Sequence, residues 1–288
     1  EMIGEGHRPW RLVWTSAYRA GAMTLADYRH GRVLFAGNAA HAMPIFGVRG
    51  LNSGWDDAFN LGWKLALVLR GEAAEPLLDT YSEERLHGFH VNAASAIKST
   101  EFMAPPSRGF VLMREAALSL AVDHPRIGAL ANPRQTHVID YPASSLNLPS
   151  DVFDAGPPPG SVFAEAPLDG PQGAAHLSDA LGPAFVALVF APQGRLDPAL
   201  DETLRALEAS HPNWRTVVIA RQGRPAGGDT RTTLIDRTGE AYARYGFAHS
   251  ESDVGVYLLR PDGHVAGRWR SAVATRLREG LRRVCFSH

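Results

Sequence analysis

Apolar positions along this chain follow two rhythms, and the change falls between about residues 142 and 160. In the first part, Trp10, Leu12 and Trp14 alternate, which predicts an edge or end strand over Arg11–Ala22. Val33–Ala36 reads as a short buried strand. From Leu51 to Leu69 the residues Leu51, Trp55, Ala58, Phe59, Leu65, Ala66 and Leu69 keep a 3.6-residue period, which predicts a helix ended by Gly71. Ser53 is its candidate N-cap, with Asp56 three residues on and Asp57 adding charge near the positive helix end. Two more helices are expected, over Leu77–Thr100 and over Gly109–Val122 ahead of His124-Pro125.

The stretch PASSLNLPSDVFDAGPPPG, residues 142–160, has no apolar period. Its Pro, Ser, Gly and Asp content predicts a linker or long surface crossing. Short strands then alternate with helices. Phe185–Phe190 is a continuous apolar strand, Pro198–Ser210 an amphipathic helix, and Trp214–Ala220 a second strand. A short strand at Thr233–Ile235 and a brief helix at Gly239–Tyr245 follow. Val254–Leu259 and His264–Trp269 form a hairpin around Pro261-Asp262-Gly263, and an Arg-rich helix closes the chain at Ser271–Val284. This order is that of a thioredoxin-like α/β domain. The expected class is therefore α/β, divided into 1–141, a 142–160 linker and 161–288.

Composition narrows the picture. A length of 288 residues suits one large or two ordinary domains, and 45% hydrophobic with 20% charged residues describes a soluble globular chain. A net charge of −1 gives no electrostatic pull toward nucleic acid or an anionic membrane, so neither partner is expected. No apolar run approaches the ~20 residues that span a bilayer. The single cysteine, Cys285, rules out an intramolecular disulfide and a cysteine-rich zinc site, and fits a reducing, cytoplasmic setting. The histidines show no H-E-x-x-H spacing, so no metal is expected. The four tryptophans Trp10, Trp14, Trp55 and Trp63 are expected in the core.

Candidate chemistry concentrates in GRVLFAGNAAHAMPIFGVRGLNSGWDDAFNLGWK, residues 31–64. An apolar strand runs into a glycine-rich loop that opens directly into a helix. Free N–H groups at a helix start carry about half a positive charge, and Gly47 and Gly50 let that backbone approach a ligand. The pattern predicts an anionic or electron-rich cofactor against residues 47–52. Spacing alone leaves equally open a turn whose glycines only permit helix–strand packing. His41 is expected as a packed, hydrogen-bonded residue that shapes the loop rather than as a base. Ser53 sits one place late for a G-x-S-x-G nucleophile elbow.

The whole run resembles the second FAD signature of the group A flavoprotein aromatic hydroxylases. It does so through Gly37-Asn38, Ala39-Ala40-His41, Pro44, Gly47, Gly50-Leu51-Asn52, the DAFNLGWKL segment Asp57–Leu65, and LLDTYSEER at Leu77–Arg85. Among members it is most similar to 3-(3-hydroxyphenyl)propionate, phenol and polyketide hydroxylases, several of which end in a redox-inactive thioredoxin-like domain. The resemblance implies the C-terminal portion of an FAD/NAD(P)-binding monooxygenase fold followed by that domain. It implies FAD as cofactor, NAD(P)H and O2 as co-substrates, and a small phenolic substrate hydroxylated through a flavin C4a-hydroperoxide. It places Gly50, Leu51 and Asn52 along the isoalloxazine N1–C2=O edge, Gly47 facing the flavin, Pro44 by its C4a side, and Asn38 at the ribityl chain. A homodimer is the expected assembly.

Two departures stand out. The family's acidic residue at the ribityl position is here Asn38, which can accept a hydrogen bond without charge, so weaker FAD retention is expected. No G-x-G-x-x-G occurs in the 288 residues, so the chain is expected to be a C-terminal fragment that does not turn over alone. One rival is a truncated scaffold acting through protein contacts. Another is a thioredoxin- or peroxiredoxin-like redox protein, which the absence of C-x-x-C after Phe190 argues against: Ala191-Pro192-Gln193-Gly194 stands there.

Overall fold

The computed structural model describes residues 11–17, 21–131, 138–170, 173–222, 231–248, 254–270 and 273–285. Trp10, part of Arg11–Ala22 and residues 271–272 of the last expected helix lie outside them. In the described part of Arg11–Ala22 there is no strand. Residues 11–17 are exposed, Trp14 at 78%, and pair with no strand among the described residues. The first elements are short: β1 (Met23–Thr24) pairs with β4 (His41–Ala42), and β2 (Arg29–His30) with β3 (Val33–Leu34). The expected strand Val33–Ala36 thus shrinks to two residues, and Val33 is 55% exposed rather than buried.

The helix expected from Leu51 begins two residues earlier, as α1 (Arg49–Leu69). Ser53 is not its cap; it is buried inside the helix, where its Oγ accepts from Asn92 Nδ2 at 3.0 Å. A 3-10 turn (Glu75–Leu78) leads into α2 (Asp79–Met103), which packs along α1. α3 (Arg108–Asp123) extends the expected Gly109–Val122 by a residue at each end, and α4 (Pro125–Ala131) folds back on it. Proline at the first helical position explains why His124-Pro125 starts a helix as well as ending one.

The second half carries a seven-stranded mixed sheet in the order β11-β10-β7-β8-β9-β5-β6. β5 (Pro167–Gly170), β6 (Gly173–His176) and the short α5 (Leu177–Ala180) have no counterpart in the sequence expectations. β7 (Phe185–Phe190), α6 (Pro198–Ser210) and β8 (Trp214–Ala220) match them residue for residue. β9 (Thr232–Ile235), α7 (Glu240–Arg244), β10 (Gly255–Leu259), β11 (Val265–Trp269) and α8 (Val273–Val284) match to within two residues at each end. β7 and β8 run parallel, joined through α6, and β10 lies antiparallel to β7. All six residues of β7 are buried, as expected for a central strand covered on both faces.

Residues 142–160 do not cross open surface. They are hydrogen-bonded along the free edge of β11: Leu148 N–H donates to Ala266 O, Asp151 N–H to Arg268 O and Gly160 N–H to Val265 O. Gly160 sits at φ 87°, and a Cβ there would come 2.2 Å from Tyr141 O, so only glycine closes this strap. One apolar core joins the two halves. Trp63, Leu67 and Leu77 pack with Phe185, Leu258 and Trp269, and the Trp63 and Phe185 rings meet edge to face at 5.7 Å. Trp55 is 60% exposed, so Trp63 is the only one of the expected core tryptophans that the described residues place there.

Candidate flavin-binding site

The loop ahead of α1 is built from tight turns. Gly37 (φ 55°) opens a 3-10 turn over Gly37–Ala39, β4 follows, and Gly47 (φ 89°) and Val48 (φ 51°) deliver the chain into α1. Val48 has the only positive φ outside glycine among the described residues, a conformation that costs a β-branched residue on the order of 1–2 kcal/mol. It occupies the N-cap position of α1, and no side chain caps that helix. Gly50 and Leu51 in the first turn therefore carry backbone N–H groups with no helical acceptor. Asn52 folds its side chain back, Nδ2 donating to Val48 O at 2.8 Å, which braces the left-handed turn.

Of the expected site residues, Pro44 is buried beneath the loop, while Leu51, 70% exposed, and Asn52 lie on its open side. Asn38 is exposed on the 3-10 turn. That turn is pressed against α1: a Cβ on Gly54 would lie 3.7 Å from Gly37 Cα. The turn bearing Asn38 and the helix start bearing Gly50–Asn52 thus flank one short stretch of α1.

Asp57 holds them together. The sequence suggested a charge near the helix end, but this carboxylate is fully buried and accepts three hydrogen bonds: Gly37 N–H at 2.8 Å, His41 Nε2 at 2.8 Å and Arg85 Nε at 2.7 Å. Burial raises its pKa; the His41 and Arg85 contacts outweigh that and hold it below the ordinary carboxylate range. His41 has the packed, loop-shaping place expected of it, buried between Tyr28 and Phe89. Arg85 continues to Tyr141 Oη at 2.7 Å and Ser53 O at 3.2 Å.

A second buried cluster lies further along α1. Glu84 Oε2 accepts from Asn60 Nδ2 at 2.6 Å, Lys64 Nζ at 2.8 Å and Arg260 Nη2 at 2.9 Å, and Oε1 accepts from Arg260 Nη1 and Ser144 Oγ, each at 2.5 Å. Asp262 accepts from Arg260 and, at 3.0 Å, from Trp63 Nε1. Burial alone would raise the Glu84 carboxyl, yet Arg260 and Lys64 hold it far below its usual value; burial pushes the Lys64 ammonium down to about 8. Sequence reasoning missed both clusters. A signal was present: Asp57, Asn60 and Lys64 stand at i, i+3 and i+7, so polar residues occupy one buried face of a helix otherwise read from its apolar residues. Beside the N-terminus of α1 opens a cleft of about 480 Å3, lined by Arg49, Asn52, Asp56, Asn92, Tyr141 and His264.

Residues 2–93 match the family model described as FAD binding domain. The chain is 32% identical over 289 residues to 3-(3-hydroxy-phenyl)propionate/3-hydroxycinnamic acid hydroxylase of Mycolicibacterium smegmatis, covering 93% of this chain and 48% of that protein. It is 43% identical over 97 residues to the enzyme of that name from Escherichia coli K12 / DH10B, covering 34% of this chain and 18% of that one. In fold it is similar to the flavin-dependent monooxygenase PieE in complex with FAD and substrate (TM-score 0.68, 27% identity, 95% of this chain, 51% of that one). This chain is a relative of the FAD-dependent aromatic hydroxylases. A second member, aklavinone-11 hydroxylase in a ternary complex with FAD and aklavinone, aligns with TM-score 0.67 at 26% identity, over 93% of this chain and 46% of that one. This hydroxylase relative spans about half the length of the curated proteins it matches. Its uncapped helix start and glycine turns fit a flavin, whose pyrimidine edge needs backbone donors and close approach. Its buried thiol does not fit redox exchange: Cys285 is 6% exposed, and burial pushes its pKa up to about 12.

Proposed function

We propose that this chain supplies the isoalloxazine side of an FAD-dependent hydroxylase. The whole protein would use NAD(P)H and O2 on a small phenolic substrate of the hydroxyphenylpropionate or hydroxycinnamate kind, as the names of its curated relatives suggest. The observation that carries this reading is the strained Gly47–Val48 turn delivering an uncapped helix start, with the Asn38 turn fixed alongside by Asp57. FAD, when bound, supplies the redox and oxygen-activating chemistry. The chain's own residues bind and orient it. Gly50 and Leu51 direct backbone N–H groups at the ring edge that gains negative charge on reduction. Asn38 accepts from the ribityl chain, Asn52 keeps the turn in shape, and Pro44 and Gly47 form the wall beside the ring. Residues 161–288 act as a thioredoxin-like scaffold without thiol chemistry, 142–160 join it to 1–141, and the protein works in the cytoplasm as a homodimer.

Flavin fluorescence quenching tests the binding assignment. A site that holds the ring edge without a pyrophosphate cradle should quench riboflavin, FMN and FAD with similar affinity, and Leu51→Pro, which removes one donor, should weaken all three. Failure of all three flavins to bind overturns the assignment of residues 47–52.

A further inference from the structure

Arg85 of α2 is held at three points. Its Nε donates to Asp57 Oδ1 at 2.7 Å, its Nη2 to Ser53 O at 3.2 Å, and its Nη1 to Tyr141 Oη at 2.7 Å. The first two acceptors belong to α1. Among the described residues, Tyr141 is the only hydrogen-bond partner of this guanidinium beyond α1. Space for the third bond comes from Gly88, where a Cβ would stand 2.8 Å from Nη1.

Tyr141 is in turn placed by the second half. Its N–H donates to Gly160 O, and Gly160 N–H donates to Val265 O on β11. Its ring stacks on His264 at 4.6 Å, and His264 Nε2 donates to Ile139 O at 3.1 Å. The Asp57 carboxylate is a rigid plane. One oxygen takes Arg85, and the other takes both the Gly37 N–H and His41 Nε2. Turning the guanidinium therefore turns the carboxylate that fixes the Asn38 turn against α1. A continuous chain of hydrogen bonds runs from β11 through Tyr141, Arg85 and Asp57 to Gly37.

We propose that Tyr141 is a positioning residue through which the C-terminal half sets the gap between the Asn38 turn and the start of α1. Its consequence for a ligand rests on the flavin reading: the start of α1 holds the ring edge, whereas the ribityl chain needs the turn at the correct distance. Tyr141→Phe keeps the ring and its stack on His264 and deletes only the hydroxyl. As a control, Tyr242→Phe deletes another buried hydroxyl, one that donates to Ile219 O at 2.8 Å within the sheet half. Hydrogen exchange on the 288-residue chain is expected to speed up at least tenfold at residues 37–41 in Tyr141→Phe, and to stay unchanged there in Tyr242→Phe. In fluorescence quenching, Tyr141→Phe is expected to weaken riboflavin at least threefold and to leave lumiflavin, which has no ribityl chain, unaffected. Riboflavin bound as tightly as by the wild type, a uniform loss for both flavins, or the same loop exchange in the two variants overturns the proposal. A wild-type chain that quenches neither flavin overturns the flavin reading, and loop exchange then decides the role of Tyr141 by itself.

Discussion

Asp57 is the residue on which the loop depends. Its carboxylate is the common acceptor for a backbone N–H on the Asn38 turn, a ring nitrogen of His41 and the guanidinium of Arg85, all in a fully buried setting. Removing the charge leaves Arg85 buried with one of its anchors lost. Such a break in a buried pair costs about 3–5 kcal/mol. Asp57→Asn is therefore expected to lower the stability by about 3 kcal/mol or more in urea unfolding, a loss that exposed Asp56→Asn should not reproduce. Sequence reading found the helix and its glycine-rich entry but not this role. A carboxylate near a helix start reads as a dipole partner until the residues that bury it are known, and Arg85 is 28 residues further along the chain, with its partner Tyr141 another 56 beyond.

At the scale of elements, the legible parts were those whose neighbours are all local or all apolar. β7, α6 and β8 are a buried βαβ unit in which the period and the turn residues agree, so the sequence marks them to the residue. The start of α1 was not legible, because its signal is a backbone one: a valine in the left-handed region takes the capping position, while the better capping residue, Ser53, faces α2. The strap at 142–160 was read as linker because its pairing partner, β11, lies more than a hundred residues away. The turn before α1 carries its own prediction. Gly47 sits at φ 89°, and a Cβ there would approach Arg49 Nε to 3.1 Å. Gly47→Ala is expected to cost about 1–2 kcal/mol in thermal or urea unfolding and to weaken flavin quenching, whereas Gly62→Ala, in open space on the same helix, should be neutral or stabilising.

For the molecule as a whole, the two buried carboxylates set the response to acid. Asp57 and Glu84 are both held below their ordinary values of 3.8 and 4.5. An unfolded chain therefore takes up protons on them that the folded chain refuses. Their contribution is complete above about pH 5 and is lost as the pH falls below the unfolded values. Unfolding midpoints in urea should be level from pH 7 to 5 and drop steeply from 5 to 3, and Glu84→Gln should flatten part of that slope from an already lower plateau. The Glu84 cluster also has a consequence in time. Glu84 and Arg260 are 176 residues apart, so the cluster that Glu84 shares with Lys64 is completed only when the hairpin carrying Arg260 docks. During synthesis the first half emerges with these charges still hydrated and with Trp63, Leu67 and Leu77 uncovered. Its native packing must wait for the sheet and helix residues between Phe185 and Cys285 that cover it, so folding is governed by a long-range closure, slow for a domain of this size and dependent on protection of the nascent first half.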